Sequence, residues 1–190
     1  MSAPRVVLGV AGASGAALAL SAARQLAGIG AEIDLVVSRA AKRTLAEECG
    51  DGAWEALARY ATRVHGIEDV GAAIASGSVP VAGMIVVPCS MRSLAAIAGG
   101  LDDNLLTRAA GVQLKERRRL VLVAREAPLT LAHLRNMTAV TEMGAIILPP
   151  VPAFYLGPVR LQDVVDQIAA RSVDLLRLAE PLAAQWESGI

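Results

Sequence analysis

The sequence is short of several things, and each shortage narrows what it can be. Its two cysteines, Cys49 and Cys89, stand far apart, so they build neither a disulfide framework nor a metal-binding pair. With no signal-peptide pattern at the start, a reducing, cytoplasmic location is the expectation. Neither sign of charge is in excess: 18 Lys and Arg face 18 Asp and Glu. Nucleic acid and anionic membrane surfaces ask for a basic surplus, so neither is expected as a partner. No apolar run approaches the roughly 18–20 residues of a membrane span. The two histidines, His65 and His133, lack metal-ligand neighbours at suitable spacing and read as non-catalytic. A G-x-S-x-G elbow, a Cys/His set and a Walker lysine are also missing, and no metal is expected.

What the chain does have is apolar mass. Hydrophobic residues make up 54% of its 190 positions and the mean hydropathy is +0.49. So apolar a chain, this near neutrality, must bury an unusual fraction of itself or cover surface with copies of itself. Homo-oligomerisation is the expectation, because obligate interfaces resemble a core cut in half. One domain is expected over residues 1–178, with a C-terminal extension, 179–190, packing on a neighbouring subunit.

Periodicity and punctuation predict a strand at Val6–Val10, a Gly/Ser loop, a helix from Ala16, a strand at Ile33–Val37 and a helix at Arg39–Cys49. A less regular stretch follows, with a short helix from Ala53, a strand near Thr62–Val64 and a polar loop at Ser76–Ser78. Met84–Val87 reads as a buried strand stopped by Pro88, and Ser90 is placed to begin a helix. Asp102 or Asp103 can cap the next helix, running to about Arg118. Further strands at Leu120–Val123 and Ala145–Leu148 flank a helix at Leu131–Met143, and a last helix spans about Leu161–Leu178. The alternation predicts an α/β fold: a doubly wound, mostly parallel, flavodoxin-like or Rossmann-like three-layer sheet, with ligands beyond the carboxyl ends of its strands.

Three of those strand ends carry small polar residues. The loop with Ala13, Ser14 and Gly15 opens a helix, where backbone N–H groups and a hydroxyl suit an anion such as phosphate. An ordinary tight turn would look the same. The loop is not a G-x-G-x-x-G fingerprint, and no carboxylate ends the second strand to hold a ribose diol. NAD is therefore disfavoured and FMN favoured. Ser38 and the run Ser90, Met91, Arg92 and Ser93 would face the same crevice. Ser90 is either a plain N-cap or a flavin contact.

Cations supply the second theme. Arg108, Val112 and Lys115 lie at i, i+4 and i+7, a stripe that could aim two charges at one phosphate or could be a solvated face. Arg125 and Glu126 follow a strand directly, as an ion pair of little worth or as an anion holder and a proton carrier. Arg171 falls at i+7 of Val164, Ile168, Arg171 and Leu175, on an apolar stripe where a guanidinium needs a partner. Asp174, Glu180 or a ligand phosphate could serve.

Read in order, the segments Gly12–Ala16, Val36–Ala41, Ala75–Ser78, Pro88–Ala98, Leu105–Ala110, Leu114–Arg118, Leu120–Glu126 and Pro149–Tyr155 resemble the UbiX-type flavin prenyltransferases over essentially the whole chain. The resemblance implies a homododecamer that transfers a dimethylallyl group from dimethylallyl phosphate to reduced FMN. Bonds form at N5 and C6, and the prenylated FMN serves a partner UbiD-type decarboxylase. It further implies that Ala13, Ser14, Gly15, Ser38, Ser90, Met91, Arg92, Ser93 and Arg125 hold FMN. Tyr155, Arg171, Arg108 and Lys115 would hold the prenyl phosphate, the last two across a subunit interface. Trp186 would help close the pocket, and Glu126, with Ser14 beside the flavin, would handle protons.

The chain departs from the family pattern at three places. Arg92-Ser93 stands for Lys-Thr, Ala127 for Thr, and Gly111 for Asp. Two other readings compete: an FMN-dependent cysteine-type decarboxylase, for which His65 would be the candidate histidine, and a flavin-binding carrier subunit without chemistry.

Overall fold

The structure is a computed structural model that describes residues 3–186. Its six strands are β1 (Arg5–Val10), β2 (Glu32–Val37), β3 (Arg63–His65), β4 (Gly83–Cys89), β5 (Arg119–Ala124) and β6 (Ile146–Ile147). They form one sheet in the order β3-β2-β1-β4-β5-β6, and every pairing is parallel. The central strands read as continuous apolar runs because both faces are covered; β4 is buried at every position. One face packs on α1 (Ala16–Gly28) and α7 (Leu161–Asp174), the other on α4 (Met91–Ala98) and α5 (Leu105–Lys115). The remaining helices are α2 (Arg39–Cys49), α3 (Ala53–Ala58) and α6 (Leu131–Glu142). No helix among the described residues is long and apolar enough to cross a membrane.

Chain order reverses direction between β1 and β4, so the crevice beyond their carboxyl ends is the topological switch point where doubly wound folds bind ligands. The loops leaving those two strands are tied together, Ala11 donating its N–H to the Pro88 carbonyl at 3.1 Å.

Three boundaries differ from expectation. Pro88 does not stop β4, which runs on to Cys89 with a shift of register against β5 between Val86 and Cys89. An irregular ladder tolerates a residue that has no N–H. Asn104, not Asp102 or Asp103, caps α5, accepting the Thr107 N–H at 3.1 Å. Asp103 is spent on Arg92 and on the Asn104 amide. The last helix ends at Asp174 rather than Leu178 because the Asp174 carboxylate takes the N–H groups of Leu182 and Ala183, folding the chain back. Ala184 continues this with two hydrogen bonds to Gln167, so 181–186 lies along α7 of its own chain. The rest of the expected extension, 187–190, falls outside the described residues.

Away from the crevice, Asp34 is wholly buried in β2. Arg5 of β1 holds it in a two-point contact, at 2.5 and 3.0 Å. His65 of β3 approaches from the other side, Nε2 at 2.7 Å. Burial alone would raise this carboxyl, but Arg5 and His65 together hold it below the ordinary range.

Candidate functional site: two cavities at the carboxyl edge of the sheet

The first cavity, of about 320 Å³, lies over the ends of β1, β2 and β4 and is lined by Gly12, Ser38, Ser90, Arg92, Ser93 and Asn104, among others. Three helices begin there. Ser38 caps α2 by accepting the Ala41 N–H, Ser90 caps α4 by accepting the Ser93 N–H, and Asn104 caps α5. Three positive helix ends in one small-walled cavity suit a phosphate-bearing ligand. Gly12 lets the first loop press on α2, since a Cβ there would lie 2.3 Å from that of Ala40.

The start of α1, the anion seat expected from sequence, is already filled. Glu48 of α2 accepts both the Gly15 and the Ala16 N–H with Oε2 at 2.8 Å. Burial works against its charge, but these N–H groups, the Ser14 hydroxyl and Arg125 outweigh it and hold the carboxyl below its usual range. A ligand anion is therefore left the starts of α2, α4 and α5. Sequence reading missed Glu48; the signal is only that it is the last residue but one of the helix that Ser38 caps.

Of the first loop only Gly12 lines this cavity; Ala13, Ser14 and Gly15 follow it without lining the cavity themselves, and Ser14 is exposed. Met91 turns instead toward the core beneath α4. Cys89 is fully buried and its thiol is pushed up to about 12, which removes it as a nucleophile.

The second cavity, of about 580 Å³, opens between the chain after β6, helix α7 and the returning 181–186 segment. Tyr155, Arg171 and Trp186 meet in it. The two rings stand edge to face, their centroids 5.0 Å apart. Arg171 is exposed, contrary to the apolar-stripe expectation. The helix advances about 100° per residue, so Arg171 sits well off the line of Ile168 and reaches the edge of the buried face. Neither proposed carboxylate pairs with it, and Asp174 is engaged by backbone. Arg171 lines this aromatic-walled cavity together with Tyr155 and Trp186.

Between the two cavities ends β5, carrying Arg125 and Glu126. They form no ion pair with each other; Glu126 accepts the Ala127 N–H at 3.0 Å, while Arg125 bears on Glu48. With strands about 4.8 Å apart, β5 stands one strand from each side. Arg108 and Lys115 do not join either cavity of this chain. Arg108 lies 4.0 Å from Asp102, and Lys115 contacts Glu116 at the far end of α5. Among the described residues no group of His, Cys, Asp or Glu could hold a metal ion.

A parallel three-layer sheet of the doubly wound, flavodoxin-like type, with anion-favouring helix starts at its switch point, defines a nucleotide- or flavin-binding α/β protein. The model of the family described as Flavoprotein matches residues 1–173. The chain is 50% identical over 182 residues to the flavin prenyltransferase UbiX of Thauera aromatica, covering 96% of this chain and 93% of that one. It is 48% identical to that of Neisseria meningitidis serogroup B, covering 96% of each. It superposes with TM-score 0.94 on the crystal structure of AnUbiX in complex with FMN and dimethylallyl pyrophosphate, at 44% identity and full coverage of both chains. The chain belongs to the flavoprotein family, in its UbiX flavin prenyltransferase branch. The cysteine decarboxylase TvaF shares the fold, with TM-score 0.64, at 14% identity.

Proposed function

We propose that the chain transfers a dimethylallyl group from dimethylallyl phosphate to N5 and C6 of reduced FMN. The observation that carries this is the second cavity: Arg171 and the Tyr155 hydroxyl beside crossed aromatic faces, one strand beyond Glu126. A departing phosphate needs preorganised donors, and an allylic cation needs a dry, π-lined pocket. A carrier that only holds flavin has no use for this second cavity.

FMN lies in the first cavity with its phosphate and ribityl chain along the starts of α2 and α4, held by Ser38, Ser90, Arg92 and Ser93. Its ring reaches toward Ala13, Ser14 and Gly15, and Arg125 lies at its edge. Met91 shapes the pocket from below. Arg171 and Tyr155 take the donor phosphate and Trp186 covers the prenyl chain. When the C–O bond breaks, its electron pair leaves with phosphate; N5 gives up a proton on forming the first bond, and the remaining double bond must then take up a proton before C6 bonds to it and releases its own. Glu126 and Glu48 are the two carboxylates placed to accept one, with the Ser14 hydroxyl beside Glu48.

Lys115 and Arg108 complete the phosphate seat of a neighbouring copy, since α5 carries them away from the cavities of their own chain. A homododecamer fits this reading: a UbiX-like decarboxylase of Escherichia coli O157:H7, 42% identical with TM-score 0.89, is dodecameric. In this reading the protein acts in the cytoplasm, and the prenylated FMN passes to a UbiD-type decarboxylase. The test is anaerobic incubation with FMN, a reductant and dimethylallyl phosphate, followed by the mass of the flavin. An added C5 unit is the expected result; unmodified flavin at full occupancy leaves the carrier reading.

A further inference from the structure

Lys115 ends α5 as a long, flexible cation, yet its ammonium sits in a built seat. Nζ donates to Glu116 Oε1 at 2.7 Å, its one hydrogen-bond partner among the described residues. Both charged ends rest on the bare Cα of Gly77: a Cβ there would lie 2.0 Å from Glu116 Oε1 and 2.6 Å from Lys115 Nζ. The Ser76–Ser78 loop that presents Gly77 is pinned from the same helix end. Arg118 donates Nη2 to the Gly77 carbonyl at 2.7 Å and Nη1 to that of Val79 at 3.0 Å. Ser76 and Ser78 close the loop on themselves, their hydroxyls 2.9 Å apart.

We propose that Glu116 and Gly77 are positioning residues for Lys115, holding its ammonium ready for the phosphate of the prenyl donor. This rests on the reading that Lys115 binds that phosphate in a neighbouring copy. An ammonium has three N–H donors and Glu116 engages one, so the carboxylate keeps its bond while phosphate oxygens take the others. Ordering a free lysine side chain is costly, and a lysine already held has met that cost before the donor arrives. An exposed ion pair contributes little to stability by itself, which points to placement rather than folding as its use. The same loop accounts for the Ala75–Ser78 motif, which neither cavity employs.

The experiment measures steady-state prenylation in the FMN-loaded oligomer for Lys115→Ala, Glu116→Gln, Glu116→Asp, Gly77→Ala and the Lys115→Ala/Glu116→Gln pair. Lys115→Ala must raise KM for dimethylallyl phosphate; if it does not, the phosphate reading of Lys115 fails, and the positioning proposal with it. Given that rise, Glu116→Gln and Gly77→Ala are expected to raise the same KM about tenfold, with kcat and FMN affinity unchanged. Glu116→Asp should recover most of the loss, and the double variant should be no worse than Lys115→Ala alone. A KM that stays put or falls in Glu116→Gln, while Lys115→Ala raises it, overturns the proposal and makes Glu116 a bystander or a competitor of the phosphate. The Gly77 methyl meets only the flexible ends of two side chains, so that variant tests the seat without threatening the fold.

Discussion

Glu48 sits on Gly15 as a ligand anion would: its Oε2 accepts the Gly15 N–H at 2.8 Å, and that of Ala16 equally. The protein thus supplies a negative charge of its own to the first turn of α1, next to Ser14 and within the influence of Arg125.

Glu48→Gln keeps the shape and removes the charge. Because the folded carboxyl is held below its ordinary range, its contribution to stability is full above that range and is lost as pH falls through the lowered value. The site is partly exposed, so the loss at neutral pH should be small, ~0.5 kcal/mol, by chemical denaturation. The acid limb of the stability curve should flatten. Prenylation should slow while flavin still binds; a variant with wild-type rates would remove Glu48 from the proton-handling set.

Asp34→Asn should be the most damaging of these substitutions to stability. It strands Arg5 and His65 around a buried, uncharged amide, and breaking such a pair costs ~3 kcal/mol. The wild-type contribution fades on acidification through the lowered Asp34 value, the same sign as for Glu48. Asp34 lies within β2 rather than at its end, so the surviving folded fraction should bind FMN normally.

Arg171→Ala should leave stability nearly unchanged, within ~0.5 kcal/mol, because the side chain is exposed and makes no hydrogen bond or ion pair among the described residues. Its expected effect is a raised KM for dimethylallyl phosphate with FMN occupancy intact. Lost folding stability without a change in KM would return Arg171 to a structural role.

Glu126→Gln should retain FMN and slow prenylation at saturating donor. Among the described residues its carboxylate bonds only the Ala127 N–H of its own turn, and a glutamine oxygen can replace that. Single-turnover flavin mass against time checks it; an unchanged rate leaves proton removal to Glu48.

Much of the fold was legible because the strands are buried on both faces and their β-branched runs are unmistakable, as in Val6–Val10 and Ile33–Val37. The serine cap at Ser90 could be read directly, since a cap is a local event, while Ser38, read only as a crevice residue, proves to be a cap as well. What escaped depends on distance in sequence. Glu48 reaches the α1 start from a full strand and helix away, and nothing near Glu48 marks it. Arg171 misled because it stands about 60° round the helix from buried Ile168, at the edge of the buried face rather than on it. The turn at Asp174 hangs on amides eight and nine residues later, which periodicity does not register.

The division of the two cavities along the chain has a temporal side. The first cavity is lined from Gly12 to Leu106, the second from Leu148 to Trp186. During synthesis from the N-terminus, the half of the sheet bearing β1, β2 and β4 emerges before α7 and the segment that folds back on it. A nascent chain can therefore present the first cavity before the second exists; on the proposed reading, the flavin crevice forms ahead of the pocket for the reactive allylic phosphate.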